Sequence, residues 1–223
     1  MKNSKEYADR LQKLYRGLKR AHAKTERVAY EDPLEALIYG IVSEQVRDSA
    51  ARTAMTGIQQ TFIDWNDLRV SRVEEIVEVF GEDSPAVRST GASLTMALRA
   101  VFDTYHTLSL QVLKKMGKRP AKQVLEKLQG ASRFCVNYCL LTSLQAHAIP
   151  LTGAMVDYLR QNEIVDPQAD EEDIEGFLGR QVAAKDGYEF YALLRRESES
   201  PKVAKKKTKK TRRKARKVAK AKK

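Results

Sequence analysis

Apolar residues recur at helical spacing along most of the chain, and they divide it into a series of amphipathic segments. Between residues 4 and 22, apolar positions three or four apart define one side of a helix: Tyr7, Leu11, Leu14, Tyr15 and Leu18. The opposite side is basic, which is typical of a solvated helix face. No segment shows the period-two alternation of a half-buried strand. The pattern predicts an all-α globule of about nine or ten helices.

Capping signals delimit several of these helices. Asp32 followed by Pro33 predicts a helix start, because aspartate caps well and proline suits the first helical position. A second capping box is predicted over residues 71–74, and it opens a short helix that ends near Gly81. Residues 64–67 are predicted to form a turn, and residues 89–91 to interrupt the helix that starts at Ser84-Pro85.

The stretch from Val124 to Leu159 predicts a helix, a tight turn, a second helix, a loop and a third helix. Gly130 supplies the permissive backbone that the end of the first helix needs. The turn over residues 130–133 is so short that the first N–H groups of the next helix point outward, where they suit a phosphate. Arg133 adds a cation beside them.

The chain has 223 residues, enough for one sizeable domain or two small ones. No apolar run approaches membrane-spanning length, and the polar N-terminus does not resemble a signal peptide. Cys135 and Cys139 are the only cysteines, and both fall in one apolar helix. They cannot form a disulfide framework, so we expect a reducing, intracellular compartment.

The net charge of +12 belongs to one end of the chain. Residues 201–223 contain fourteen Lys or Arg and no acid, so residues 1–200 carry about −2 (12 minus 14). This low-complexity segment is predicted to be a disordered tail that binds nucleic acid, RNA or another polyanion. The tail cations that we expect to contact DNA include Lys205, Lys206, Lys207, Lys209, Lys210, Arg212 and Arg213.

The turn sequence from Leu128 through Gly130 to Val136, preceded by an amphipathic helix, resembles the helix-hairpin-helix of the endonuclease III and DNA glycosylase superfamily. In that family an Ile-Pro loop carries the catalytic aspartate about 22 residues after the first hairpin glycine. The matching loop here begins at Ile149-Pro150 and holds Thr152 at the aspartate position, where its hydroxyl is expected to cap the helix that follows. Bifunctional members carry a lysine four residues after the glycine, where this chain has Phe134.

The resemblance extends to the segment from Ser43 to Gln45, which matches a family landmark whose glutamine fills the space left by a flipped base. It implies DNA contacts at the hairpin and at this glutamine: Gly130, Ala131, Ser132, Arg133 and Gln45. Ser132 replaces the second hairpin glycine, which weakens the implied contact. Glu44 is the candidate for a substitute catalytic carboxylate.

The C-terminal segments resemble the last helices of the family's iron–sulfur members, but no cysteines follow them here. We therefore expect no iron–sulfur cluster, no other cofactor and no metal site. The resemblance implies an all-α, two-lobed fold in residues 30–197, with an N-terminal helix in residues 1–29 and the basic tail in residues 198–223.

Three functions remain open on the sequence. The leading hypothesis is a DNA-binding protein of the glycosylase superfamily whose catalytic site has degenerated. The second is an active base-excision glycosylase that uses a non-standard carboxylate, and the third is a helical protein-binding adaptor with a nucleic-acid-binding tail. We expect a monomer that binds double-stranded DNA and no membrane, in the cytoplasm with the nucleoid or in a nucleus.

Deleting residues 201–223 is expected to remove most of the non-specific affinity for duplex DNA at low salt, because most of the excess positive charge is removed. Fluorescence anisotropy with a labelled duplex over a salt series measures both affinity and its salt slope. Unchanged affinity and slope in the truncated chain would contradict this prediction.

Overall fold

The computed structural model describes residues 4–23 and 25–200, and over these residues the chain is helical with no strand. The helices are α1 (Ser4–Ala21), α2 (Pro33–Glu44), α3 (Asp48–Thr61), α4 (Trp65–Val70), α5 (Val73–Phe80), α6 (Pro85–Tyr105), α7 (Lys118–Lys127), α8 (Arg133–Thr142), α9 (Gly153–Gln161), α10 (Glu171–Gln181) and α11 (Gly187–Ser198). Two 3-10 helices span Gln111–Lys115 and Ala184–Asp186. The all-α prediction is confirmed, with more helices than expected.

Helices α2 and α8 form the centre of the fold. Every residue of α2 from Pro33 to Ser43 is buried except Glu35, and every residue of α8 after Arg133 is buried. The two helices approach closely at Gly40, where an added Cβ would lie 3.2 Å from the Cα atom of Cys135. Any larger residue at position 40 would therefore require the backbone of α8 to shift by a few tenths of an ångström.

The other helices pack around this pair in two groups. Helices α3 and α6 pack on α2, α5 packs on both of them, and α4 lies against α6. On the other side, α11 packs against α1, α9 and α8. Helix α8 thus joins α11 of the second group to α2, which carries the first group, and α7 packs against α8 at the hairpin.

Asp32 caps α2 as the sequence predicts, and it also holds a distant loop. Its Oδ1 accepts hydrogen bonds from the backbone N–H of Leu34 at 2.8 Å and of Leu110 at 2.9 Å. Its Oδ2 accepts from the hydroxyl of Ser109 at 2.5 Å. One carboxylate thus joins the start of α2 to the connection between α6 and α7.

Three local predictions differ from the structure. Residues 64–67 are not a free turn, because Asp64 accepts from the N–H groups of Asn66 and Asp67 and so caps α4. The capping box lies one residue later than predicted, where the Glu75 carboxylate accepts from the N–H of Arg72 at 2.8 Å. Helix α6 runs through residues 89–91 without a break, since Gly91 lies against Val73 and Ile76.

The pair Arg119-Pro120 lies inside the first turn of α7, where a proline is tolerated because the N–H that it lacks has no helical partner.

The predictions made for the basic tail lie outside the described residues. No described helix combines the length and the apolar character needed to cross a membrane.

Gly130 has the left-handed backbone that the hairpin pattern predicts, with φ of +82°. It also lies against α6, because an added Cβ would come within 2.4 Å of the carbonyl oxygen of Ser93. This contact seats the hairpin turn on α6.

Gly130→Ala is therefore expected to lower the free energy of unfolding by more than about 2 kcal/mol, through left-handed strain and a backbone clash. Urea unfolding followed by circular dichroism measures the change. The matched control is Gly17→Ala in α1, where an added Cβ meets nothing within 4 Å. The free energy of unfolding of the control should stay unchanged or rise by up to about 1 kcal/mol. Equal losses of stability in both variants would contradict the structural role given to Gly130.

Candidate functional site

The hairpin turn leads into α8, whose first residues were predicted to hold a phosphate. The Ser132 hydroxyl caps α8 by accepting from the backbone N–H of Cys135 at 3.2 Å. Arg133 is exposed, but its guanidinium is paired with Glu172 at 3.0 Å and with Glu175 at 3.6 Å. Two carboxylates of α10 therefore lie beside the cation predicted to bind DNA, although the pair with Glu172 is exposed and such a pair is weak.

Glu44 lies at the same end of α8. Its Oε2 atom is 3.8 Å from the Sγ atom of Cys135. Burial raises the pKa of Glu44, while hydrogen bonds from Ser132 and Cys135 act to lower it. The structure thus places the predicted substitute carboxylate against the hairpin.

Gln45 is the residue that ends α2, and its side chain is exposed. This position leaves the amide free to reach a partner in solution. Its predicted DNA contact stays a prediction.

Phe134 is not at a reactive surface. Its side chain is only 3 % exposed, and its ring stacks on Tyr138 with centroids 6.0 Å apart. The guanidinium carbon of Arg195 lies 5.6 Å from the centre of the Phe134 ring. The residue at the family's lysine position is therefore part of the core.

Thr152 is also buried, with 4 % of its surface exposed. Its hydroxyl accepts from the backbone N–H of Met155 at 3.4 Å, so it caps α9 as the sequence predicts. The residue at the family's aspartate position thus has a structural role in starting a helix.

Arg195 in α11 is a buried residue that the sequence analysis did not single out. It donates to the carbonyl oxygens of Ser43 at 2.5 Å and Val46 at 3.2 Å, and to the hydroxyl of Tyr191 at 2.9 Å. Its Nε also pairs with Glu199 at 2.9 Å. Burial opposes its charge, but Tyr191 and Glu199 keep the pKa of Arg195 above its ordinary value. Arg195 thereby holds the loop that carries Gln45.

A cavity of about 770 Å³ lies beside Arg195. Its most distinctive lining is a set of five tyrosines, which we call the tyrosine cavity: Tyr30, Tyr39, Tyr138, Tyr188 and Tyr191. The rings of Tyr39 and Tyr138 stack with centroids 5.5 Å apart, and Tyr30 meets Tyr138 edge-on. The wall therefore combines aromatic rings, four of them largely buried, with several arginine and acidic side chains. Aromatic rings can stack on a flat ligand, and the charged groups can bind its polar atoms.

Asp48 supplies a carboxylate to the tyrosine cavity. It accepts from the Tyr39 hydroxyl at 2.7 Å and from Nε of Arg52 at 2.9 Å. Burial acts to raise its pKa, but these two hydrogen bonds prevail and hold the pKa of Asp48 below its usual value. Sequence reasoning missed this residue, although it stands only three positions after Gln45.

The two cysteines offer no reactive thiol. Both are free and buried, and burial raises the pKa of Cys135 to about 12. Within the described part of the chain, no three His, Cys, Asp or Glu side chains are grouped to hold a metal ion.

Phe134→Lys is expected to lower the free energy of unfolding by more than about 3 kcal/mol at pH 7, because it buries an amine beside the Arg195 guanidinium. Burial lowers the pKa of such an amine, so the folded state binds fewer protons and the deficit should shrink as pH rises from 7 to 10. Urea unfolding at several pH values measures both effects. The control Phe134→Leu should lose only about 1.5 kcal/mol with no such pH dependence, and identical behaviour of the two variants would show that the amine escapes the core.

No family model matches the sequence, and no curated protein matches it in sequence. The fold does match solved structures. A trapped endonuclease III–DNA covalent intermediate has a TM-score of 0.65 at 14% identity, covering 88% of this chain and 86% of that chain. The Clostridium acetobutylicum 8-oxoguanine glycosylase/lyase in complex with double-stranded DNA has a TM-score of 0.65 at 14% identity. The match covers 87% of this chain and 69% of that chain. The H. pylori 3-methyladenine DNA glycosylase bound to 1,N6-ethenoadenine has a TM-score of 0.60 at 11% identity. The match covers 88% of this chain and 97% of that chain. The chain therefore has the helix-hairpin-helix fold of the endonuclease III and DNA glycosylase superfamily.

Proposed function

We propose that this protein binds double-stranded DNA and does not cleave the glycosidic bond. The observation that carries the proposal is the burial of both positions that the family uses for catalysis. Phe134 is stacked in the core, and the hydroxyl of Thr152 is engaged in capping α9. Neither side chain offers a nucleophile or a carboxylate to a bound sugar.

Base excision needs stabilisation of an oxocarbenium-like sugar, and a carboxylate near the anomeric carbon provides it electrostatically. The loss of such a group is comparable to the loss of one oxyanion donor, about 2.7–4 kcal/mol of transition-state stabilisation. Without an amine at position 134, formation of a covalent sugar intermediate also lacks its nucleophile. DNA binding does not require the carboxylate or the amine, because it depends on other contacts.

DNA binding is supported by the structures that share this fold, several of which are complexes with DNA. The tyrosine cavity favours an unpaired base as the group that is bound, since every base has a face that stacks on an aromatic ring. The exposed Gln45 lies in the loop that Arg195 holds next to this cavity. We assign the Gln45 side chain to the space in the duplex that a flipped base leaves empty.

A second candidate is an active glycosylase that uses a different carboxylate. Asp48 favours it, because this residue lines the tyrosine cavity and its lowered pKa keeps it ionised. Glu44 is less suited, since its carboxylate lies against the hairpin thiol of Cys135 and is not among the groups that line the cavity.

The test is incubation with duplexes carrying a panel of damaged or mismatched bases, assayed both for binding and for abasic sites or strand breaks. An active glycosylase on the same duplexes is the positive control. We expect the wild type to bind and to leave every glycosidic bond intact.

Excision by the wild type would overturn the proposal, and two variants would then locate the chemistry. Loss of excision in Asp48→Asn but not in Glu44→Gln would assign it to the tyrosine cavity. The reverse result would assign it to the hairpin. Absence of binding to any duplex would instead favour the adaptor hypothesis.

A further inference from the structure

The surface at the start of α7 is the feature that the proposed function leaves unexplained. Five cations occur within nine residues there, and no acid stands between residues 111 and 125. We call them the α7 basic surface: Lys114, Lys115, Lys118, Arg119 and Lys122. All five side chains are exposed.

Most of this charge is not neutralised within the described part of the protein. None of the salt bridges among the described residues involves Lys114, Lys115, Lys118 or Arg119. Lys122 has a partner, Glu126, at 3.6 Å, but both side chains are about half exposed and such a pair is weak.

Two of the ammonium groups are held in place by carbonyl oxygens. Lys114 donates to the backbone oxygen of Tyr30 at 3.4 Å, and Lys118 donates to that of Gln145. A carbonyl partner positions a cation without cancelling its charge. Gly117, the residue before α7, provides no side-chain cap, so the first N–H groups of α7 add to the positive potential of the same surface.

The hairpin at the other end of α7 has the opposite character. Arg133 is paired with Glu172 and Glu175, and Glu44 lies against Cys135 at the start of α8. A phosphate approaching the start of α8 meets the carboxylates of Glu44, Glu172 and Glu175, while Lys127 and Arg133 carry positive charge beside the turn. The ten residues of α7 separate the two ends by about 15 Å.

We propose that the folded domain contacts the phosphate backbone of DNA through the α7 basic surface, and that the hairpin turn makes little contact with phosphate. This proposal rests on the proposed DNA binding and assigns it to a surface. It differs from the sequence prediction, which assigns the contact to residues 130–133.

The chemistry of the surface favours a nucleic acid over a membrane. Its exposed large apolar side chains are Val112 and Met116, which are 38 % and 37 % exposed. Two such residues do not form the apolar face that an interfacial helix inserts into lipid. Clustered cations on a polar surface can neutralise the phosphates of a nucleic-acid backbone.

The experiment uses the full chain and compares four variants with the wild type, two of them at matched net charge. Lys115→Glu/Arg119→Glu reverses two charges on the α7 basic surface. Lys13→Glu/Arg16→Glu makes the same change of net charge at two exposed positions on α1. Arg133→Gln removes the hairpin cation. Anisotropy with a 20-bp duplex over a salt series gives the affinity and the salt slope of each.

We expect the α7 variant to lose about tenfold in affinity near physiological salt relative to the α1 variant. Its salt slope should fall by about 1.8, or 0.9 for each phosphate that the protein no longer neutralises. Arg133→Gln should bind as the wild type does. The milder Lys115→Gln/Arg119→Gln should show an intermediate loss, which separates the effect from any failure to fold.

Equal losses in the α7 and α1 variants would show that only net charge matters, and a larger loss in Arg133→Gln would return the contact to the hairpin. Either result overturns the surface assignment while leaving DNA binding intact. Wild-type protein that sediments with phosphatidylserine vesicles but binds no duplex would overturn the assignment in favour of a membrane. Failure of the proposed function is distinguishable, because it appears as base excision or as absent binding in the wild type.

Discussion

The close antiparallel packing of α2 on α8 is the constraint on which the remaining structure depends. The thiol of Cys139 lies 3.4 Å from the carbonyl oxygen of Pro33 at one end, and that of Cys135 lies 3.8 Å from Glu44 at the other. Gly40 allows this approach, because a Cβ there would crowd the backbone of Cys135 at 3.2 Å. The end of α2 therefore lies against the start of α8, which brings the loop of Gln45 and the hairpin to one side of the fold.

Phe134, which the sequence resemblance aligns with the family's lysine, strengthens this packing. Phe134 stacks on Tyr138, and Tyr138 also contacts Tyr39 of α2 and Tyr191 of α11. An aromatic ring at this position makes a buried contact between helices, whereas a lysine amine there would have to stay hydrated. A buried cation lies next to the Phe134 ring, the guanidinium of Arg195. It donates hydrogen bonds to the carbonyl oxygen of Ser43 and to the hydroxyl of Tyr191.

The sequence predicted best those features that depend on neighbouring residues. The cap at Asp32, the left-handed Gly130 and the cap at Thr152 all follow from local chemistry, and the structure confirms each. The pairing of Arg133 with α10 could not be predicted, because its partners stand about forty residues away. The tyrosine cavity was missed for the same reason, since its five rings come from four separate segments whose approach depends on the fold.

The separation of charge along α7 also affects how the folded domain would meet a large polyanion. A domain with cations at one end of a helix and carboxylates at the other has a permanent electric moment. In the field of such a partner, rotational diffusion is biased before any contact forms, so one orientation dominates the encounters. At low ionic strength this bias extends over about 30 Å, and most collisions would then present the start of α7 and turn the hairpin away.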